Sequence, residues 1–314
     1  MRTFSGVVIL LLGVLLASSC NRSKPDKFTD TPTTGQTSFA VDATFQPIIE
    51  AELPVFHAIY KYAKVTPLYV PEVDAINMLL RDSVRLIVIS RPLKKQETEY
   101  FNTKKFFPKE VKVALDGIAV LVNPANPDTL FSIEQLKKIF MGETTDWKQL
   151  SGSSKLGKLK VIFDNRNSSI VRFVVDSITK TGKLGTQLSA MQYNTDVVDY
   201  ISKTPNAIGL IGVSWVSDRN DPKSLSFLKQ VKVASISGAP KPTAENSYLP
   251  YQAYIATGQY PLTRYVYMIN TEPRAGLASG FTAFVANDKG QRIILKTGVL
   301  PYTQPVRLVR LKDN

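Results

Sequence analysis

Cysteine and histidine are almost absent from this sequence of 314 residues, which contains Cys20 and His57 and no others. A single cysteine excludes an intramolecular disulfide, and one histidine leaves a zinc site without its usual partners. His57 lies beside Phe56 and Ile59 on a predicted helix, where a packed histidine is more typical than a catalytic one. The 17 glycines do not form the spacing that cradles a nucleotide. The sequence therefore favours a protein that is not an enzyme and holds no cofactor or metal.

Acidic residues are outnumbered, because 39 lysines and arginines face 26 aspartates and glutamates, for a formal net charge of +13. Such an excess raises the association rate of anions. The charges are scattered, however, and are equally typical of a solvated surface. No basic cluster is interleaved with aromatic residues, which argues against a nucleic-acid partner. A hydrophobic content of 44% indicates a globular chain long enough for two domains or one bilobal unit.

The longest apolar run lies at the N-terminus and is short. After Arg2, "VVILLLGVLLASSC" is too short to span a bilayer comfortably and ends in small residues, which is typical of an export signal over residues 1–20. Cys20 follows Leu-Ala-Ser-Ser, which resembles a bacterial lipobox with Ala17 in the place usually given to leucine. We therefore expect lipidation at Cys20 and a protein of the periplasm or cell envelope that is anchored to the membrane by its lipid. The alternative is a secreted protein with an incidental cysteine. Residues 21–38, rich in Thr, Pro and Ser, predict a flexible tether.

Strand and helix patterns alternate along the rest of the chain. Apolar spacing that begins at Thr44 predicts a first helix, and a strand, a second helix and the apolar strand 86–89 follow. Further on, Ser132 and Gln135 form a capping box, and Gly142 ends the helix that they start. Alternation of this kind argues for an α/β fold.

Loops with hydroxyl side chains lead into three of the predicted helices. Helix starts carry unpaired N–H groups and a partial positive charge, so several that converge on one point would hold an anion. Any single serine or threonine of this kind is more typical of a plain N-cap. Three such starts beside arginines favour an anion site. The residues concerned are Thr44, Ser90, Arg91, Arg166, Ser168 and Ser169.

Four segments resemble, in the same order along the chain, segments of the PstS-like phosphate-binding proteins of bacterial phosphate ABC transporters. They are "SRPLKKQE", "DGIAVLVNPANPDTLFSIEQLKKIFMGETTDWKQL", "YPLTRYVYMIN" and "GQRIILKTGVLPY", and the second is the most specific. The resemblance implies a type II periplasmic-binding-protein fold, in which two α/β lobes are joined by two hinge crossovers with a ligand cleft between them. It divides the chain into a first lobe of residues 39–116 and 250–314 and a second lobe of residues 117–249, which close on ligand by a hinge motion.

In the first lobe the resemblance places ligand contacts at Thr44 and Phe45, where the family offers phosphate a threonine and backbone N–H groups. An ungapped match from "SRP" backwards puts Arg85 in the place of a family aspartate that accepts the proton of hydrogen phosphate, and Glu72 near a ligand-contacting serine. Three interpretations stay open. Glu72 and Arg85 form an internal salt bridge, or Arg85 donates to an oxyanion, or Arg85 faces solvent at a strand edge. With the acceptor gone, discrimination between phosphate and other oxyanions should relax.

In the second lobe the resemblance implies contacts just before a later helix. Ser168 matches a family serine, while Ser169 replaces a glycine. Asp164 falls where the family has an arginine, so Arg166 or Arg172 must supply the cation if one is needed. The second contact therefore keeps the residue types of the family, a serine and an arginine, but the arginine lies at a different position.

The resemblance implies a solute-binding lipoprotein that captures an inorganic oxyanion, above all phosphate, and passes it to the permease of an ABC importer. Such a protein would act as a monomer. The alternative is a sensor or scaffold lipoprotein that keeps the fold and has a different or lost ligand.

Overall fold

The computed structural model describes residues 30–152, 154–218 and 220–303. The predicted signal peptide, the lipidation site at Cys20 and much of the predicted tether lie outside the described residues. The strands, numbered in chain order, are β1 (Thr34–Asp42), β2 (Tyr62–Val70), β3 (Leu86–Ile89), β4 (Lys109–Val122), β5 (Leu130–Ser132), β6 (Lys160–Phe163), β7 (Leu188–Ala190), β8 (Ala207–Gly212), β9 (Lys232–Val233), β10 (Ser235–Ser237), β11 (Ser247–Tyr248), β12 (Thr263–Asn270) and β13 (Leu300–Pro301).

The helices are α1 (Gln46–Ile59), α2 (Glu72–Leu80), α3 (Lys95–Thr103), α4 (Ile133–Met141), α5 (Ser169–Phe173), α6 (Asn194–Lys203), α7 (Ser214–Ser217), α8 (Pro222–Gln230), α9 (Gln252–Ala256), α10 (Leu277–Ala286) and α11 (Asp288–Lys296). Short 3₁₀ turns lie at Ala43–Phe45 and Trp147–Gln149, and a π-helical stretch at Val174–Thr179 continues α5. The predicted capping box forms, because Ser132 accepts from the Gln135 N–H, and Gly142 ends α4 with φ of 80°.

One sheet runs through both halves of the molecule, in the order β2-β1-β3-β12-β4-β8-β6-β7, with β9 and β13 also paired to β4. The pairs of β1 with β2 and β3 are parallel, as are the pairs of β6 with β7 and β8. Strand β4 connects these two parallel groups, since it pairs with β12 as far as Gly117 and with β8 from Ile118. The predicted α/β fold and its two lobes are confirmed.

Each lobe has its own apolar core. In the first lobe the rings of Phe39, Phe56 and Phe281 pack together, with centroids 5.1–5.2 Å apart. In the second lobe Trp147 is fully buried and lies against Phe131, so this tryptophan packs in the core. Because each lobe packs around its own core, the strand ends that lie between the two lobes can form a site.

Two predicted boundaries need adjustment. Residues 34–38 do not belong to a tether, because they form the first part of β1 and pair with β2 from Thr34 opposite Tyr62. Threonine favours strands, which explains how this polar stretch enters the sheet. Near residue 250, Ile255 and Leu262 pack in the core of the second lobe with Ile118. We therefore propose that the chain returns to the first lobe just before β12, later than residue 250.

Candidate functional site

Three buried carboxyl groups and one buried guanidinium meet between the lobes. Asp42 ends β1, Asp164 follows β6, Asp116 lies on β4 just before that strand changes partner, and Arg264 lies on β12. All four are at most 5% exposed. Because charged groups are tolerated in a protein interior only when paired and hydrogen-bonded, their contacts decide what this site can hold.

The carboxylate of Asp42 accepts hydrogen bonds from both lobes. Its Oδ1 atom accepts from the Thr44 N–H at 3.1 Å and from the Thr44 hydroxyl at 2.9 Å, and its Oδ2 atom accepts from the Ser169 N–H at 3.3 Å. Burial raises the pKa of Asp42 above its usual range, and the charge of Glu72 adds to this, while Arg264 and the hydrogen bonds from Ser169 and Thr44 oppose it. The donors predicted for a ligand therefore hold a carboxylate of the chain itself.

Thr44 joins Asp42 to Asp164. Its Oγ1 atom lies 2.9 Å from Asp42 Oδ1 and 3.1 Å from Asp164 Oδ2, but a threonine hydroxyl has one proton to donate. Both contacts are hydrogen bonds only when one of the two carboxyl groups carries a proton. Burial and the nearby charge of Asp42 raise the pKa of Asp164 to about 6, so Asp164 is suited to donate its proton to Thr44.

Arg264 supplies the buried positive charge. Its Nε and Nη2 atoms lie 3.3 and 3.2 Å from Asp116 Oδ2, and its Nη1 atom donates to the Ser169 hydroxyl at 2.6 Å. The guanidinium also lies over the ring of Phe45, 4.8 Å from its centroid, at a distance typical of a cation–π contact. Burial raises the pKa of Asp116 to about 6, although Arg264 lowers it.

A second contact between the lobes lies at one side of this cluster. Glu72, at the start of α2, accepts from the Ser90 N–H at 2.8 Å and from the Ser90 hydroxyl at 3.0 Å. Arg172, from α5 in the other lobe, forms a salt bridge with Glu72 and donates to the Ser90 hydroxyl at 2.6 Å. Burial would raise the pKa of Glu72, but Arg172 and the bonds from Ser90 hold it below its usual value. This trio links the first lobe to the second.

The structure brings most of the predicted site residues together. Thr44, Ser168 and Ser169 lie at the interlobe cluster, where the Ser168 hydroxyl caps α5 by accepting from the Val171 N–H. Phe45 packs beneath Arg264, and Ser90 and Glu72 lie in the neighbouring trio. The ligand-binding role of these residues stays a prediction.

Three predicted cations lie elsewhere. The proposed pair of Arg85 with Glu72 is wrong, because Arg85 is half exposed and pairs with Asp82 at 3.3 Å, while Glu72 pairs with Arg172. Arg91 pairs with Glu97, to which it donates at 2.7 and 2.6 Å. Arg166 is exposed. Arg172, the other candidate in the sequence, therefore reaches the interlobe contact, but it binds Glu72 there.

Arg264, Asp116 and Asp42 are the functional candidates that the sequence-based prediction missed. Two of them have a recognisable signal, since Arg264 is the one charge on the apolar strand β12 and Asp116 is the one charge in the buried stretch of β4. Such a charge is expected to have a buried partner. Among the residues that the structure describes, no group of histidine, cysteine, aspartate or glutamate side chains has an arrangement that could hold a metal ion.

The fold and the interlobe site define a two-lobed binding protein. A family model described as a PBP superfamily domain matches residues 26–289, and the chain belongs to this family. No helix among the described residues has both the length and the apolar character needed to cross a membrane.

Curated relatives are named phosphate-binding proteins. The PstS protein of Staphylococcus saprophyticus is 29% identical over 208 residues, which are 64% of this chain and 60% of that protein. The PstS protein of Borreliella burgdorferi is 24% identical over 304 residues, which are 94% of this chain and 97% of that protein. The resemblance to PstS-like proteins is thereby confirmed.

Solved structures agree on the fold. A protein from Clostridium perfringens, described as a phosphate ABC transporter substrate-binding protein and solved with phosphate bound, matches with a TM-score of 0.72 and 20% identity over 86% of this chain and all of that one. An ABC-type phosphate transport receptor from Vibrio cholerae matches with a TM-score of 0.63 and 20% identity over 85% of this chain and all of that one. At this level of identity the likeness shows the type II binding-protein fold.

Proposed function

We propose that this protein captures an inorganic oxyanion, above all phosphate, between its two lobes and delivers it to the permease of an ABC importer. The observation that carries the proposal is the way Asp42 is held. A carboxylate is itself an oxyanion, and donors from both lobes converge on its two oxygens. Charge-assisted bonds from backbone N–H groups and a hydroxyl are also the bonds that a phosphate accepts. The names of the curated relatives support the same ligand class.

The location and the mode of attachment are part of this proposal. The lipobox-like sequence before Cys20 supports a lipid anchor, and the curated relatives support a place in the periplasm or cell envelope. We propose that the protein works as a monomer without a catalytic reaction, because a single cleft between two lobes is sufficient for capture by hinge closure.

Phosphate should raise the melting temperature of the full-length chain purified in detergent and freed of phosphate. A ligand that binds the folded form alone stabilises it by RT ln(1 + [L]/Kd), which is about 2.7 kcal/mol at one hundred times Kd. Thr44→Ala removes a donor of the cradle and should reduce or abolish the shift. The measurement is a thermal unfolding series with phosphate, sulfate and chloride.

Thr282→Ala is the matched control, because Thr282 is also a buried threonine of the first lobe, whose hydroxyl donates to Ala278 O at 2.8 Å in α10. It should leave the phosphate shift unchanged while it changes the melting temperature itself. A series without any shift for phosphate in the native chain, at every concentration up to the millimolar range, would contradict the proposal.

A sensor or scaffold with a different or lost ligand is the second candidate. It is favoured by the same cradle, because Asp42 already occupies its donors. The two functions differ in partner, since a transporter component must bind a permease. Co-purification of the full-length chain with a permease from its own membrane would support transport, and binding without a permease would support the sensor.

A further inference from the structure

Asp42 holds the two lobes together through its own side chain. It belongs to the first lobe and accepts from Ser169, 127 residues further along the chain in the second lobe. Thr44, bonded to the same carboxylate, reaches Asp164 in the second lobe, and both Asp42 and Thr44 are completely buried. The carboxylate thus makes the kind of contact that a bound solute makes in a two-lobed binding protein, since it engages both lobes at once.

The balance of buried charges allows one anion to be held by the cradle, which consists of the Thr44 and Ser169 donors. Among the described residues, Asp42, Asp116 and Asp164 share one buried arginine, Arg264, which is already paired with Asp116. A second anion beside an ionised Asp42 would meet like charge in a medium of low dielectric constant, where the repulsion is far stronger than in water. It would also find the Thr44 and Ser169 donors engaged. An entering oxyanion must therefore take the place of the Asp42 carboxylate.

We propose that Asp42 is a built-in anionic ligand, which occupies the oxyanion cradle and keeps the lobes together until a solute displaces it. This inference rests on the proposed function of the same cleft. It makes Asp42 the residue that sets the affinity for the solute, because every incoming oxyanion competes with a carboxylate that is always present at the site.

Protonation of Asp42 should weaken this competition. The charged or titratable groups that face it are Asp164 after β6, Asp116 on β4, Arg264 on β12, and Glu72 on α2 with its partner Arg172 on α5. Burial and the acidic neighbours raise the pKa of Asp42, so the carboxylate takes up its proton earlier on acidification than an exposed aspartate does. A neutral Asp42 no longer repels an anion, and phosphate should bind more tightly as the pH falls.

The test compares phosphate binding by the native chain, Asp42→Ala and Asp42→Asn, measured by titration calorimetry on full-length protein in detergent. Asp42→Ala empties the cradle, and Asp42→Asn keeps the size of the side chain without its charge should the alanine variant fold poorly. Both should bind inorganic phosphate at least about tenfold more tightly than the native chain at neutral pH, because one buried like charge is removed. Affinity should also depend less on pH in Asp42→Asn than in the native chain, a comparison that cancels the titration of phosphate itself.

Asp146→Ala is the matched control. Asp146 also begins a 3₁₀ turn and accepts from the backbone N–H two residues on, at 3.0 Å from Lys148 N, but it lies away from the cleft contacts. Its replacement should leave the phosphate affinity unchanged.

Small-angle scattering supplies a readout that does not need phosphate. Without phosphate the native chain should be compact, and Asp42→Ala should be more extended and contract when phosphate is added. If the native chain binds phosphate and both Asp42 variants bind it equally or more weakly, the inference is overturned while the proposed function stands. If no folded variant binds phosphate, the proposed function is overturned, and an unchanged radius of gyration in Asp42→Ala overturns the built-in ligand as well.

Discussion

Replacing Arg264 by methionine should lower the free energy of unfolding by about 3–5 kcal/mol, which is the cost of removing one partner from a buried ion pair. The Arg264 side chain is 3% exposed and that of Asp116 is fully buried. Without the guanidinium, the Asp116 carboxylate loses its counter-charge and the Ser169 hydroxyl loses its donor. The measurement is urea unfolding at neutral pH.

Arg85→Met is the control for this experiment, because it removes an arginine from an exposed pair with Asp82. Exposed pairs contribute about 0–1 kcal/mol, so the control should change the free energy of unfolding little. The double variant Arg264→Met/Asp116→Leu should recover much of the loss, since replacing a buried pair by apolar side chains is often neutral. Equal effects of Arg264→Met and Arg85→Met would contradict the account of the buried pair.

The contrast between Arg85 and Arg264 shows what one sequence can reveal about this site. Counting backwards from "SRP" placed Arg85 at a ligand position, but β3 begins one residue later, at Leu86. The preceding turn has Asp82 in a left-handed conformation, with φ of 55°, and Arg85 pairs with this residue at the surface. An ungapped count matches positions along the chain, but it does not give the partner of a side chain, and here that partner is a carboxylate of the neighbouring turn.

Arg264 carries a signal that was available. It shares the inward face of β12 with Val266 and Met268, and a charge at an inward position of an alternating strand predicts a buried partner. Its partner Asp116 lies 148 residues earlier in the chain, and no local spacing connects the two. The fold was predictable because the capping box, the apolar strands and their alternation are local patterns. The site was predictable where it rests on hydroxyls at helix starts and on the matched positions of Phe45 and Glu72, but not at the buried pair of Arg264 and Asp116.

The stability of the native chain should pass through a maximum at mildly acidic pH. Burial raises the pKa values of Asp116 and Asp164 from their ordinary 3.8 to about 6, so the folded chain binds protons that the unfolded chain releases. Their contribution is complete below the unfolded value and is lost as the pH rises through about 6. The pKa values of Glu72 and Glu97 are lowered, so the stability that these two provide is lost as the pH falls below their ordinary range.

Asp164→Asn should isolate the part of this dependence that belongs to Asp164. An asparagine amide donates to the Thr44 hydroxyl as a protonated Asp164 does, while Thr44 donates to Asp42, so the variant keeps the hydrogen-bonded arrangement at every pH. We expect it to be more stable than the native chain at neutral pH by about 2–3 kcal/mol, because two pKa units correspond to about that free energy. As the pH falls below 3.8, the ordinary value of an aspartate, Asp164 becomes protonated in the unfolded chain as well, and the difference between the two proteins should shrink toward zero.

The measurement is the free energy of unfolding in urea at several pH values between mildly acidic and neutral. Asp199→Asn is the control, since Asp199 is exposed and pairs with Lys203 on α6, and its profile should run parallel to that of the native chain. The difference between native chain and variant removes the effect of the net charge of +13, which changes with pH in both. A difference that stays constant with pH would mean that Asp164 takes up no proton on folding and stays ionised beside Asp42 even at mildly acidic pH. The single proton of Thr44 would then satisfy only one of the two carboxylates.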